Sequence, residues 1–152
     1  SMVIRGYESA LAAMAVLTAY IPMLTDAGGN AGSQSTSTII CGMAVGDIKP
    51  RDLPRILWRE WRVGLLCGGT LAVCNFAKLM LLDRVGFGVA MVVCLTLECT
   101  VLLSQLIGGV LPVIAKKLKM DPAVMASPLI TTIVDTTTLL IYFNIAKALL
   151  HL

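Results

Sequence analysis

Four long apolar runs separated by short polar segments set the pattern of this chain. The first extends from Tyr7 to about Val45, longer than one membrane crossing requires at about 1.5 Å per helical residue. Pro22 and Gly28-Gly29 are the expected bends. They divide the run into an outer helical piece, Glu8 to Tyr20, and a spanning helix from about Ile21 to Val45. After a loop, Gly46 to Asp52, comes a second span, Leu53 to Leu82. Pro54 suits its first turn, and Trp58 and Trp61 lie among arginines as at a membrane interface. The turn Asp83 to Gly86 leads to a third span, Phe87 to Ala115, where Gly108-Gly109 and Pro112 predict a kink or an early stop. The fourth span runs to Leu150, with Asp121 as N-cap and Pro122 as first helical residue.

Two polar stripes interrupt this pattern. Asp26, Asn30, Gln34 and Thr38 recur every four residues, which places them on one helical face. Ser127, Thr131, Asp135, Thr138 and Tyr142 recur at helical spacing in the fourth span. Counted from the ends of their helices, Asn30 stands about 22 Å above Val45 and Asp135 about 18 Å above Ala123. The stripes can therefore meet at one depth. An ionised carboxylate at mid-membrane costs at least about 2.5 kcal/mol, so residues such as Asp135 usually face a polar cavity or a pathway.

Composition decides the solvent. The 152 residues are 57% hydrophobic and 14% charged, with mean hydropathy +0.87, whereas soluble domains average about 45–50% apolar and about 25% charged. The expected fold is an all-α integral membrane domain, a helical bundle with about four spanning helices. The net charge of +3 is modest. Its basic residues gather at Lys49, Arg51, Arg55, Arg59 and Arg62, and again at Lys116, Lys117 and Lys119, which argues for topology and against nucleic acid. The positive-inside rule makes both clusters cytoplasmic and both chain ends external. Five cysteines without a C-x-x-C pair read as small packing residues, and the opening residues show no signal-peptide pattern.

Carboxylate, carboxamide and hydroxyl oxygens without His or Cys suit a hard cation such as Mg²⁺, held with most of its water. Glycines in the same stripe allow backbone carbonyls to join the lining. Asp26 is expected near the outer mouth, where a carboxylate concentrates cations. Ser35, Thr132, Thr136 and Asn144 are expected to bond a neighbouring helix or their own backbone. The pairs Gly28/Gly32, Gly42/Gly46 and Gly64/Gly68 are expected at close helix contacts. Glu98 is open between a protonated carboxyl, a pair with Lys78 and a subunit interface. The chain is not expected to be an enzyme: two aspartates sharing a proton would suit an intramembrane protease, but the Gly-x-Gly-Asp setting is absent, as are H-E-x-x-H and nucleophile-elbow motifs. A Na⁺- or proton-coupled exchanger with Asp135 as relay is the alternative to a channel.

At these stripes the chain resembles the transmembrane domain of the MgtE magnesium channel family. The resemblance rests on Gly6-Tyr7-Glu8-Ser9, on Pro22 through Gly28-Gly29-Asn30-Ala31-Gly32-Ser33-Gln34, on Gly108 to Pro112, and on Asp121-Pro122-Ala123 leading to Pro128-Leu129-Ile130-Thr131-Thr132-Ile133-Val134-Asp135 and Leu140-Ile141-Tyr142-Phe143. It covers nearly the whole chain. It implies a homodimer in a lipid bilayer, with one helix-lined pore at the dimer interface conducting Mg²⁺, and Mn²⁺ or Co²⁺ also. Asp135 would face the hydrated ion, with Asn30, Thr131 and carbonyls near Gly28 holding its water shell, Asp26 nearby and Glu8 recruiting cations outside. It further implies that residues 1–152 form the pore domain without the family's first helix, the family domain having five, and without its cytoplasmic regulatory domains. The expected location is the cell membrane, multi-pass, as in a bacterial inner membrane.

Overall fold

The computed structural model describes the backbone of residues 2–151, and all side chains within that range except those of residues 2–7, 9, 10 and 125–127. Among the described residues five α-helices follow one another: α1 (Met2–Ala19), α2 (Ile21–Ala44), α3 (Leu53–Leu81), α4 (Phe87–Lys117) and α5 (Pro122–Leu150). A short 3₁₀ turn, Pro50–Asp52, precedes α3. Among the described residues four stretches are long and apolar enough to cross a membrane: Leu11–Ala44, Pro50–Leu81, Phe87–Lys117 and Pro128–Leu150. The protein is thus an all-α bundle of membrane-spanning helices.

The breaks between helices have local causes. Proline has no N–H and its ring clashes with the carbonyl four residues back, so Pro22 interrupts the helical ladder at Thr18 and takes a first-turn position in α2. The chain bends at Tyr20, and α2 then passes unbroken through Gly28-Gly29, where a second bend was expected. At its other end Gly46 adopts φ +85°, a left-handed turn that suits glycine. Gly42/Gly46 therefore closes a turn against Ile48 and joins no pair of helices. The fourth span begins as its sequence predicts, with the Asp121 carboxylate accepting from Ala123 N at 3.0 Å.

The helix α4 is the centre of the bundle. It packs on α2, α3 and α5 and touches α1, and 50% of its most apolar stretch is buried, against 17% in each of the first two crossings. It does not stop at Pro112 but continues to Lys117. The reason is visible on α2: Pro112 leaves the Gly108 carbonyl without its intrahelical donor, and Thr36 Oγ1 donates to that carbonyl at 2.8 Å. A neighbouring helix thus satisfies the group that the proline frees. Beside it, Gly108 meets the backbone of Gly32, and no side chain fits between them.

The contact of α3 with α4 follows a spacing of four along α3. Gly64 faces Leu102 and Gln105, Gly68 faces the Glu98 carboxyl, and Glu60 reaches Gly109. Lys78 does not pair with Glu98. Its ammonium bonds Asp83 Oδ2 at 3.2 Å, and the Tyr20 hydroxyl donates to the same oxygen at 3.0 Å. These two bonds hold the Asp83 carboxyl below the usual carboxylate range, the Tyr20 bond contributing more. They also fasten the α1–α2 junction to the α3–α4 turn. Among the cysteines, all five of them free, only Cys94 is fully buried, whereas Cys41, Cys67 and Cys74 face outward.

Candidate functional site

Two polar faces run along α2, and the bundle treats them differently. The inner one carries Gly28, Gly32, Ser35 and Thr36, all buried. Gly28 sits where a methyl group would lie 2.6 Å from Thr100 Cγ2 and 2.7 Å from Val134 Cγ1, so α2, α4 and α5 converge there. Ser35 Oγ shares its proton between Glu60 Oε2, 2.7 Å away, and the Gln105 carbonyl, 2.9 Å away. Every hydroxyl on this face has a partner on another helix.

The outer face carries Asp26, Asn30, Gln34, Ser37 and Thr38, all exposed. Asn30 Nδ2 donates to Asp26 Oδ2 at 3.2 Å, which links two members of the stripe. Between this face and α5 lies an open groove of about 680 Å³ lined by Pro22, Thr25, Asp26, Gly29, Asn30, Ser33, Thr131 and Asp135. A second hollow of about 600 Å³ continues it along Asn30, Ser33, Gln34, Ser37 and Thr38. The two hollows share Asn30 and Ser33, so one polar trough follows α2 for most of its length. The first hollow has two carboxylates and no basic side chain among its lining residues, an arrangement that attracts cations.

Of the residues singled out in the sequence, Asp26, Asn30, Thr131 and Asp135 come together in this groove. Gly28 is in the three-helix contact, and its neighbour Gly29 lines the groove with open space in front of it. Glu8 is exposed on α1 and is not among the lining residues. The α5 stripe divides: Thr131 and Asp135 face the groove, whereas Thr138 and Tyr142 are buried, Tyr142 donating to the Leu17 carbonyl at 2.6 Å. The side chain of Ser127 lies outside the described residues. Thr132, Thr136 and Asn144 bond carbonyls four residues earlier in their own helix, as expected of them.

Sequence reasoning missed Thr25, Gly29 and Ser33, which complete the groove, and Glu60, whose side chain is buried. A signal for Glu60 was present. Glu60, Gly64 and Gly68 recur every four residues, so this carboxyl shares the glycine face and not the arginine face of α3. Among the described residues no group of three His, Cys, Asp or Glu side chains is placed to hold a metal. The groove itself offers a cation two carboxylates, Asp26 and Asp135, beside amide and hydroxyl oxygens, a donor set that suits a hydrated hard cation.

A spanning bundle with an open, carboxylate-lined trough defines the class: an all-α membrane protein with an exposed polar face of the kind that attracts cations. The comparisons with known proteins agree with that class. Residues 21–145 match the MgtE divalent cation transporter family. The chain is 36% identical to the magnesium transporter MgtE of Thermus thermophilus, with 99% of this chain and 33% of the relative aligned. It is 34% identical to that of Bacillus subtilis and 31% identical to that of Enterococcus faecalis, over 98% and 95% of this chain. This chain belongs to the MgtE family, and it spans about a third of the length of these curated relatives.

Proposed function

We propose that this protein forms a Mg²⁺-conducting channel, with the pore between two copies of the chain and hydrated Mg²⁺ held at Asp135. The observation that carries this reading is the exposed polar trough on a membrane bundle. Asp26, Asn30, Gln34, Thr38 and Asp135 cannot face hydrocarbon without a large cost. A second copy across a two-fold axis would close the trough into a pathway and double its carboxylates. Thr131 and the Gly29 backbone then join Asn30 in holding the water around the ion, and Gly28 acts by setting how close α2 and α5 approach. Glu8, exposed on α1, adds negative charge toward the outer entrance. Mn²⁺ and Co²⁺ suit the same oxygen donors and are expected cargo as well.

No fuel is required in this reading. An inward potential of 100 mV supplies about 4.6 kcal/mol to a doubly charged ion, twice the value for a single charge. The protein is then a transporter and not an enzyme, resident in a bacterial inner membrane and regulated by cytoplasmic domains of the longer family proteins. The test is Mg²⁺ flux into liposomes under a Mg²⁺ gradient alone and with a Na⁺ or proton gradient added. Flux under the Mg²⁺ gradient alone, following the membrane potential, is the expected outcome. Flux that requires the second gradient would replace the channel by a coupled exchanger.

A further inference from the structure

A second feature of the bundle is independent of the trough. The helix α3 packs chiefly on α4, which leaves its opposite face uncovered. Near its start, Arg55, Arg59 and Arg62 recur at intervals of four and three and form one exposed stripe. Trp58 and Trp61 flank them, both exposed, with their rings stacked at 5.5 Å and 15°. Ile56 and Glu60 point the other way, into the bundle. Among the described residues the Lys78–Asp83 bond is the only ion pair, and none of the three guanidinium groups is paired with a carboxylate there.

Depth narrows the choice of partner. Arg62 lies about 13 Å above Leu53 at 1.5 Å per residue, beyond the loop and within the length of the spanning helix. A guanidinium at that level has to reach headgroup oxygens, and its planar fork matches phosphate. Tryptophan side chains settle at the headgroup level of a bilayer, with an apolar body toward the chains and an N–H toward water. An acidic protein segment would match the charge but gives no reason for exposed indoles beside it.

We infer that Arg55, Arg59 and Arg62, with the Trp58–Trp61 pair, bind the phosphate headgroup of an anionic glycerophospholipid. The guanidinium forks hold the phosphate oxygens and the indoles cover the upper part of the acyl chains. The neighbouring basic cluster, Lys116, Lys117 and Lys119, is joined to a different helix end and takes no part.

The chain contains two tryptophans, and both are in this site, so intrinsic fluorescence reads it directly. The 152-residue chain is reconstituted in phosphatidylcholine vesicles containing a minor fraction of either brominated phosphatidylglycerol or brominated phosphatidylcholine. Stronger quenching by the anionic lipid, reversed by unbrominated phosphatidylglycerol, is expected. The preference should be lost in Arg55→Gln/Arg59→Gln/Arg62→Gln and kept in Lys116→Gln/Lys117→Gln/Lys119→Gln, with helicity checked by circular dichroism. Equal quenching by the two lipids in the parent protein overturns the inference without recourse to any variant. Equal loss in both variants also overturns it, since the preference would then be one of overall surface charge.

Discussion

The inner and outer faces of α2 draw on the same kinds of residue to opposite ends. On the inner face, glycines and hydroxyls are consumed by neighbours: Thr36 by the Gly108 carbonyl, Ser35 by Glu60 and Gln105, Gly28 and Gly32 by α4 and α5. On the outer face, Asp26 and Asn30 bond each other and leave the trough open beside Asp135. Polarity in a membrane helix therefore marks either a packed contact or an open polar face, and the open face is the one proposed as the pathway. What separates the two is whether another helix of the same bundle has taken up the polar groups.

Substitutions along α2 and its contacts can break this contrast. The largest effect is expected from Gly108→Val, whose side chain would have to enter the Gly32 backbone. We expect destabilisation of about 3 kcal/mol or more, above the usual range for overpacking, with loss of a monodisperse species in detergent. Adjacent glycines give a sharper test. Gly28→Ala meets Thr100 and Val134 and should cost about 1–3 kcal/mol in thermal or denaturant unfolding. Gly29→Ala meets nothing within 4 Å and should leave stability intact while narrowing the groove. Equal destabilisation by the two would erase the distinction between the faces.

A smaller loss, about 1 kcal/mol, is expected for Thr36→Val, because cross-helix hydrogen bonds in membranes are individually weak. Asn30→Ala should leave unfolding unchanged and reduce only the response to Mg²⁺. The smallest effect concerns the clamp at the far end of the bundle. Tyr20 and Lys78 lower the pKa of Asp83 in the folded protein, so its ionised form favours folding. That contribution is complete above the unfolded carboxyl's pKa, about 3.9, and disappears as pH falls through the lower folded value. Unfolding temperatures recorded into that acid range should show a slight loss that Asp83→Asn lacks.

Much of this was legible in the sequence because helix boundaries in a membrane chain are written by prolines, glycines and caps. Pro22, Pro54 and Asp121 mark starts that the structure keeps. Pro112 misleads, since the donor that rescues its helix is Thr36, on a helix far away in sequence. Spacing alone brought Asp26, Asn30, Thr131 and Asp135 to one groove. It could not divide the α5 stripe, because Thr138 and Tyr142 share the period of Asp135 and are buried by the packing of α5 against α4 and α2. It also could not separate Gly28 from Gly29, whose roles differ by one step around the helix. The partner of Lys78 was equally hidden, since Asp83 and Glu98 are both within reach of its helix on paper.

Asp135 is the proposed ion site of a conducting trough. The most direct measurement is voltage-clamped Mg²⁺ current through reconstituted protein, comparing the parent with Asp135→Asn at matched helicity and insertion. The expected result is a parent current that reverses at the Mg²⁺ equilibrium potential and is lost in the variant. A properly inserted Asp135→Asn protein that conducts Mg²⁺ like its parent would remove Asp135 from the ion's path.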